Sequence, residues 1–108
     1  MKVEILYFVG CPNHLPAVER VERVLAAEGV TAEIFHVAIP DAEAAEAVRF
    51  AGSPSVRING VDVEGAVAGP VGMSCRTYMN GSAREGVPSF EVIQFAVRSA
   101  AVEPNENR

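Results

Sequence analysis

The stretch Val3-Glu4-Ile5-Leu6-Tyr7-Phe8-Val9-Gly10-Cys11-Pro12-Asn13-His14 sets the frame for the whole chain. Its first part is mostly apolar and rich in strand formers, the pattern of a strand buried on both faces. Gly10-Cys11-Pro12-Asn13-His14 stops that strand. A helix follows, because Leu15, Val18, Val21 and Leu25, flanked by Val24, recur at helical spacing with Glu19, Arg20, Glu22 and Arg23 between them. Gly29 supplies its C-terminal stop. A thiol is thereby set between a buried strand and the start of a helix.

Outward from this unit, residues 31–37 (Thr-Ala-Glu-Ile-Phe-His-Val) read as a second strand. Residues 42–50 read as a second helix, with Asp41 as N-cap and Gly52 as terminator. This strand–helix–strand–helix order predicts parallel pairing of the two strands. The pattern then changes. Residues 54–58 form a short strand, Asn59-Gly60 is a two-residue hairpin signal, and residues 61–64 return. Residues 65–87 carry Gly65, Gly69, Pro70, Gly72, Gly81 and Gly86 without a clear period. Loops longer than ~12–15 residues are uncommon in compact domains and often functional, and this one contains Cys75. A last helix spans residues 88–101, starting at Pro88 or Ser89, with Phe90, Ile93, Ala96 and Val97 on its inner face. One domain over residues 1–102 and a polar, disordered tail over 103–108 are expected.

The chain has 108 residues, enough for one domain with a sizeable core. Nine Lys and Arg against fourteen Asp and Glu give a net charge of -5, which argues against a phosphate-neutralising surface and so against nucleic acid as a partner. No apolar run reaches the ~20 residues of a membrane span. With no signal-peptide pattern at Met1-Lys2-Val3, a cytoplasmic, reducing setting is expected. Two cysteines are too few for a disulfide scaffold or a four-thiolate metal site, but enough for one redox pair or part of a metal site.

The element order, with Cys11-Pro12 after the first strand and Ser53-Pro54 before the third, resembles the thioredoxin-like superfamily, glutaredoxins included. The resemblance covers most of residues 2–64 and resumes over 88–101. Two motifs carry it. Gly10-Cys11-Pro12-Asn13-His14 stands in the place of the family's Cys-x-x-Cys. Gly52-Ser53-Pro54-Ser55-Val56 stands where the family has a cis-proline facing the reactive thiol. The resemblance implies an α/β thioredoxin-like fold: a four-stranded mixed sheet, strand one in its middle, with helices on both faces. It also implies that Cys11 opens the first helix and that a cis Pro54, with Pro12, shapes a substrate groove. The backbone groups of Ser53 would then be open to an extended partner. The departure is His14, which stands where many redox members carry the second cysteine.

Cys11 is the candidate nucleophile, since a thiolate is favoured by helix dipoles and cationic neighbours. The competing reading is an inert buried cysteine. Pro16 places the regular helix start nearer Leu15, which weakens the dipole at the sulfur. His14 is either an imidazole that assists Cys11 or an ordinary first-turn histidine. Cys75 is either the thiol that resolves Cys11 or a structural thiol in the long loop. Arg76 beside it either lends positive charge to a thiol and its substrate or is simply solvated. His36 falls on the same edge as Cys11 if the strands are parallel. It reads chiefly as a capping or surface histidine, with a metal-ligand set alongside Cys11, His14 and Cys75 as the minor alternative. Tyr7, Phe8, Phe35, Phe50, Phe90 and Phe95 read as packing residues.

Three functions compete. The first is a small thiol-disulfide oxidoreductase or thiol-transfer protein: Cys11 attacks a thiol-bearing or disulfide substrate, and Cys75 or an external thiol such as glutathione resolves it. Its partner would be glutathione or a protein disulfide, with no cofactor and no resident metal. The second is soft-metal handling by Cys11 and Cys75. A Cys-x-x turn plus a second cysteine in a later loop is similar to alkylmercury lyases, although those enzymes also use an acid where this chain has His14. The third is a redox-inactive thioredoxin-like binding module. The oligomeric state is left open.

Overall fold

The computed structural model describes residues 1–65 and 71–102. The expected tail at 103–108 and part of the long loop lie outside the described residues. Strand β1 (Lys2–Tyr7) leads into helix α1 (His14–Glu28), then β2 (Glu33–Ala38), helix α2 (Ala42–Val48), β3 (Ser55–Ile58), β4 (Val61–Asp62), β5 (Tyr78–Asn80), β6 (Ala83–Glu85) and helix α3 (Phe90–Val102). The first four strands make one mixed sheet in the order β2-β1-β3-β4, and β5 and β6 pair as a separate ribbon. As the sequence predicts, β1 and β2 run parallel, while β3 runs antiparallel to β1 and to β4.

Register explains the two-sided core. Val3 lies opposite Ile58 and Ile5 opposite Val56, so these four side chains share one face of the sheet. They pack with Ala17, Val18, Val21, Val24 and Leu25 of α1 and Ile93 and Val97 of α3. Leu6, on the other face, packs with Ile39, Ala45 of α2 and Phe50. Helices thus cover both faces, and β1 is buried from both sides.

The helix ends follow local chemistry. At the end of α1, Gly29 takes the left-handed conformation, its N–H reaches Ala26 O, and the Val30 N–H reaches Leu25 O. The Asp41 side chain accepts from the Ala44 N–H at 2.8 Å, and Ser89 Oγ from the Val92 N–H at 3.1 Å, as N-caps should. α2 stops short of the expected Phe50–Gly52 boundary. Arg49 takes the left-handed turn instead (φ 54°), the Arg57 guanidinium donates to the Val48 and Arg49 carbonyls, and Phe50 is thereby swung into the core.

Three further expectations change. Leu15 fits the helical period but is 67% exposed in the first turn of α1. Phe95 on α3 is 72% exposed. The segment expected as one long loop contains the β5–β6 ribbon, joined at Gly81-Ser82. Replacing Ile5, wholly buried, by Ala should lower unfolding free energy by about 2–5 kcal/mol. Leu15→Ala should stay within about 0.5 kcal/mol. Urea unfolding of the two variants checks both.

Candidate functional site

The turn after β1 holds Cys11 away from the helix proper. The Cys11 N–H donates to Phe8 O (3.2 Å), the His14 N–H reaches back to Cys11 O (3.4 Å), and α1 begins only at His14. Pro16 falls in the first turn, where its missing N–H leaves no bond unmade. Cys11 is half-buried and Pro12 exposed.

Ser53-Pro54 enters β3 through a cis peptide bond. Ser53 Oγ accepts from the Phe8 N–H at 3.4 Å, tying this entry to the segment that leads from β1 to Cys11. Ser53 also pairs with Cys75 in a parallel bridge. Its N–H donates to Ser74 O and its carbonyl accepts from the Arg76 N–H, both at 2.9 Å. The backbone groups expected to be open to an extended partner are therefore occupied by the chain's own segment. Gly52 makes this approach possible: at φ 111° a Cβ there would come within 3.0 Å of Ser74 O and of the Arg76 Cβ. Cys75 is exposed, and both cysteines are free thiols. A second contact ties the same stretch of chain to the Cys11 turn. Gly86 packs so closely on Asn13 that a Cβ would lie 2.8 Å from the Asn13 Cγ.

Arg76 neither lines an open edge nor is solvated. It is 7% exposed. Its Nη1 donates to Asp62 Oδ2 (2.7 Å) and Ser55 Oγ (3.0 Å), and its Nη2 to Asp62 Oδ1 (2.9 Å) and Glu64 Oε1 (3.0 Å). The guanidinium also lies 4.5 Å from the Tyr78 ring centroid. Burial works against its charge, but the bond to Asp62, with that carboxylate's field and Glu64 behind it, more than offsets this and raises its pKa above the usual range. Burial likewise pushes the Tyr78 phenol above its usual range, against the opposing pull of Arg76. The phenol donates to Pro54 O at 2.6 Å. Asp62, Glu64, Ser55 and Tyr78 were not among the candidates read from the sequence. Their signal, alternating polar residues on a short hairpin, looks like a solvated face until Arg76 is placed.

His14 is held by two other rings. It stacks on Tyr7, with centroids 3.6 Å apart and planes 9° from parallel, and its Nε2 lies 2.9 Å from His36 Nδ1. No hydrogen bond joins it to either thiol among the described residues. Desolvation, then the charge of His36, lowers the His14 pKa below the ordinary 6.5. Among the described residues no cluster of three or more His, Cys, Asp or Glu is arranged to hold a metal ion. No helix among them is long and apolar enough to cross a membrane.

Removing Arg76 leaves Asp62 buried without its partner. Arg76→Met should therefore lose about 3–5 kcal/mol of stability, and Arg76→Met with Asp62→Leu should recover much of it; chemical denaturation measures both. His14 gives a second expectation. Its folded pKa is depressed, so the unfolded chain binds more protons as pH falls below about 6.5, and stability drops with it. The fall in denaturation midpoint between neutral and mildly acidic pH should be smaller in His14→Gln than in the unaltered protein. Compared with known proteins, the chain matches no family model, no curated protein and no solved structure.

Proposed function

We propose that this chain is a thioredoxin-like thiol-disulfide oxidoreductase or thiol-transfer protein, with Cys11 as nucleophile and Cys75 as the resolving thiol. The observation that carries this reading is the pairing of Cys75 with Ser53 beside the cis Pro54, one hydrogen bond from the segment that leads to Cys11. The order β2-β1-β3-β4, with β1 central and helices on both faces, supports the thioredoxin-like part of it.

The chemistry is an exchange of sulfur bonds. The Cys11 thiolate attacks one sulfur of a substrate disulfide. The substrate S–S bond breaks, a Cys11–substrate mixed disulfide forms, and the first substrate thiolate leaves and takes up a proton. The Cys75 thiolate then attacks the Cys11 sulfur, releases the second substrate thiolate and leaves a Cys11–Cys75 disulfide. Closure requires Cα atoms within ~7 Å. An external thiol, glutathione by class, reduces the pair again. Because Ser74 and Arg76 occupy the backbone edge of Ser53, the reading favours a low-molecular-weight disulfide over an extended protein segment.

A second reading rests on the same two free thiols. Thiolates from separate segments bind a soft ion such as mercury(II) in low coordination. The redox-inactive module has no observation of its own in its favour.

Reacting the reduced protein with glutathione disulfide, followed by intact-mass analysis, tests the proposal. The unaltered chain should lose both thiols to an internal disulfide, and Cys75→Ser should stop with glutathione attached at Cys11. Failure of Cys11 to react overturns the proposal, and so does a mixed disulfide that persists in the unaltered chain. If mercury(II) then protects both unreacted thiols from alkylation, the soft-metal reading takes its place.

A further inference from the structure

We propose that His14 and His36 form a two-imidazole site for a divalent cation that prefers right-angled coordination, of the Ni²⁺ or Cu²⁺ type. The site is separate from the thiol chemistry. His14 Nε2 and His36 Nδ1 face each other at 2.9 Å across the gap between the start of α1 and the edge strand β2. Imidazole nitrogens suit these ions.

The separation selects the geometry. Metal–imidazole bonds of about 2.0–2.1 Å place two nitrogens about 2.9 Å apart at a right angle, but about 3.3 Å apart at the tetrahedral angle. The observed distance, that of a hydrogen bond between the two rings, equals the right-angle spacing, so the ion would replace that bond once the rings turn their lone pairs onto it. A tetrahedral ion such as Zn²⁺ needs the rings to part by a few tenths of an ångström.

The surroundings fit ligation. The His14 ring is fixed from one side by the stacked Tyr7 ring, which sets its orientation as a supporting group does at a metal ligand. The His36 ring stands nearly perpendicular to it, at 78°, and its residue is exposed, so it can turn its lone pair onto the ion and leave the other positions to water. Binding needs both facing nitrogens free of hydrogen. The one shared proton moves, through water, to the far nitrogen of its own ring, and no net proton is lost.

The test is calorimetric titration of the unaltered protein with Ni²⁺, beside His36→Gln, His14→Gln and a Cys11→Ser/Cys75→Ser variant. Tyrosine emission gives a second readout, because the chain has no Trp and only two Tyr, of which Tyr7 lies against His14. Saturable binding with quenching is expected in the unaltered and cysteine-free proteins, weaker by roughly 10–100-fold or more in either histidine variant. Circular dichroism confirms that His36→Gln, an exposed change, is folded. Zn²⁺ should bind more weakly than Ni²⁺. The proposal falls if the unaltered protein shows no saturable binding, if His36→Gln binds Ni²⁺ as well as it does, or if loss of the cysteines abolishes binding.

Discussion

The Arg76 guanidinium, buried and forked onto Asp62, is the constraint on which the candidate site depends. Residues 74–78 add little apolar surface of their own beyond Tyr78 and would otherwise be an ordinary exposed stretch. One long side chain fixes them to the β3–β4 hairpin through Asp62, Glu64 and Ser55, while the Tyr78 phenol fixes them to Pro54 O. Such a network is exacting, because losing Arg76 or Asp62 leaves the other buried charge without its main partner. Its return is position: it brings the backbone of Cys75 alongside Ser53.

A buried ion pair of this kind is weak evidence for stability and better evidence for specificity, since an apolar filling of the same space is often as stable. Here the specificity has a visible object. The packed apolar faces of the sheet involve α1, α3 and α2 and would hold without residues 74–78. The polar network is what selects one register for that segment against β3. The Gly86–Asn13 contact sets the chain just after β6 against the Cys11 turn.

The sheet was legible because local signals agreed with one another. The apolar run of β1, the helical period of α1, the Asp41 and Ser89 caps, Gly29 and Asn59-Gly60 each pointed to the element found there. The failures have specific physical causes. Periodicity locates a helix face but not which of its turns is covered, so Leu15 looked internal. α2 ended at Arg49 because a distant Arg57 satisfied its last carbonyls and Phe50 gained burial, and neither event is local. Gly81-Ser82 makes a two-residue turn as Asn59-Gly60 does, but the strands it joins were too short and too polar to show a period. At the site, Cys11 and Cys75 could be singled out as thiols, and Ser53 and Pro54 through the resemblance to thioredoxin-like proteins, whereas the roles of Arg76 and His14 depended on partners 14 and 22 residues away.

The pairing of Ser53 with Cys75 has a consequence for the chain as it is made. Cys11 leaves the ribosome 75 − 11 = 64 residues before Cys75. At ~5–20 residues per second this is an interval of roughly 3–13 s. During it β1, α1 and β2 can come together, since their contacts need no later residue, but the segment that flanks the Cys11 turn does not yet exist. Ser53 itself is made only 75 − 53 = 22 residues before Cys75, and from then until Ser74 and Arg76 follow its backbone edge is unpaired.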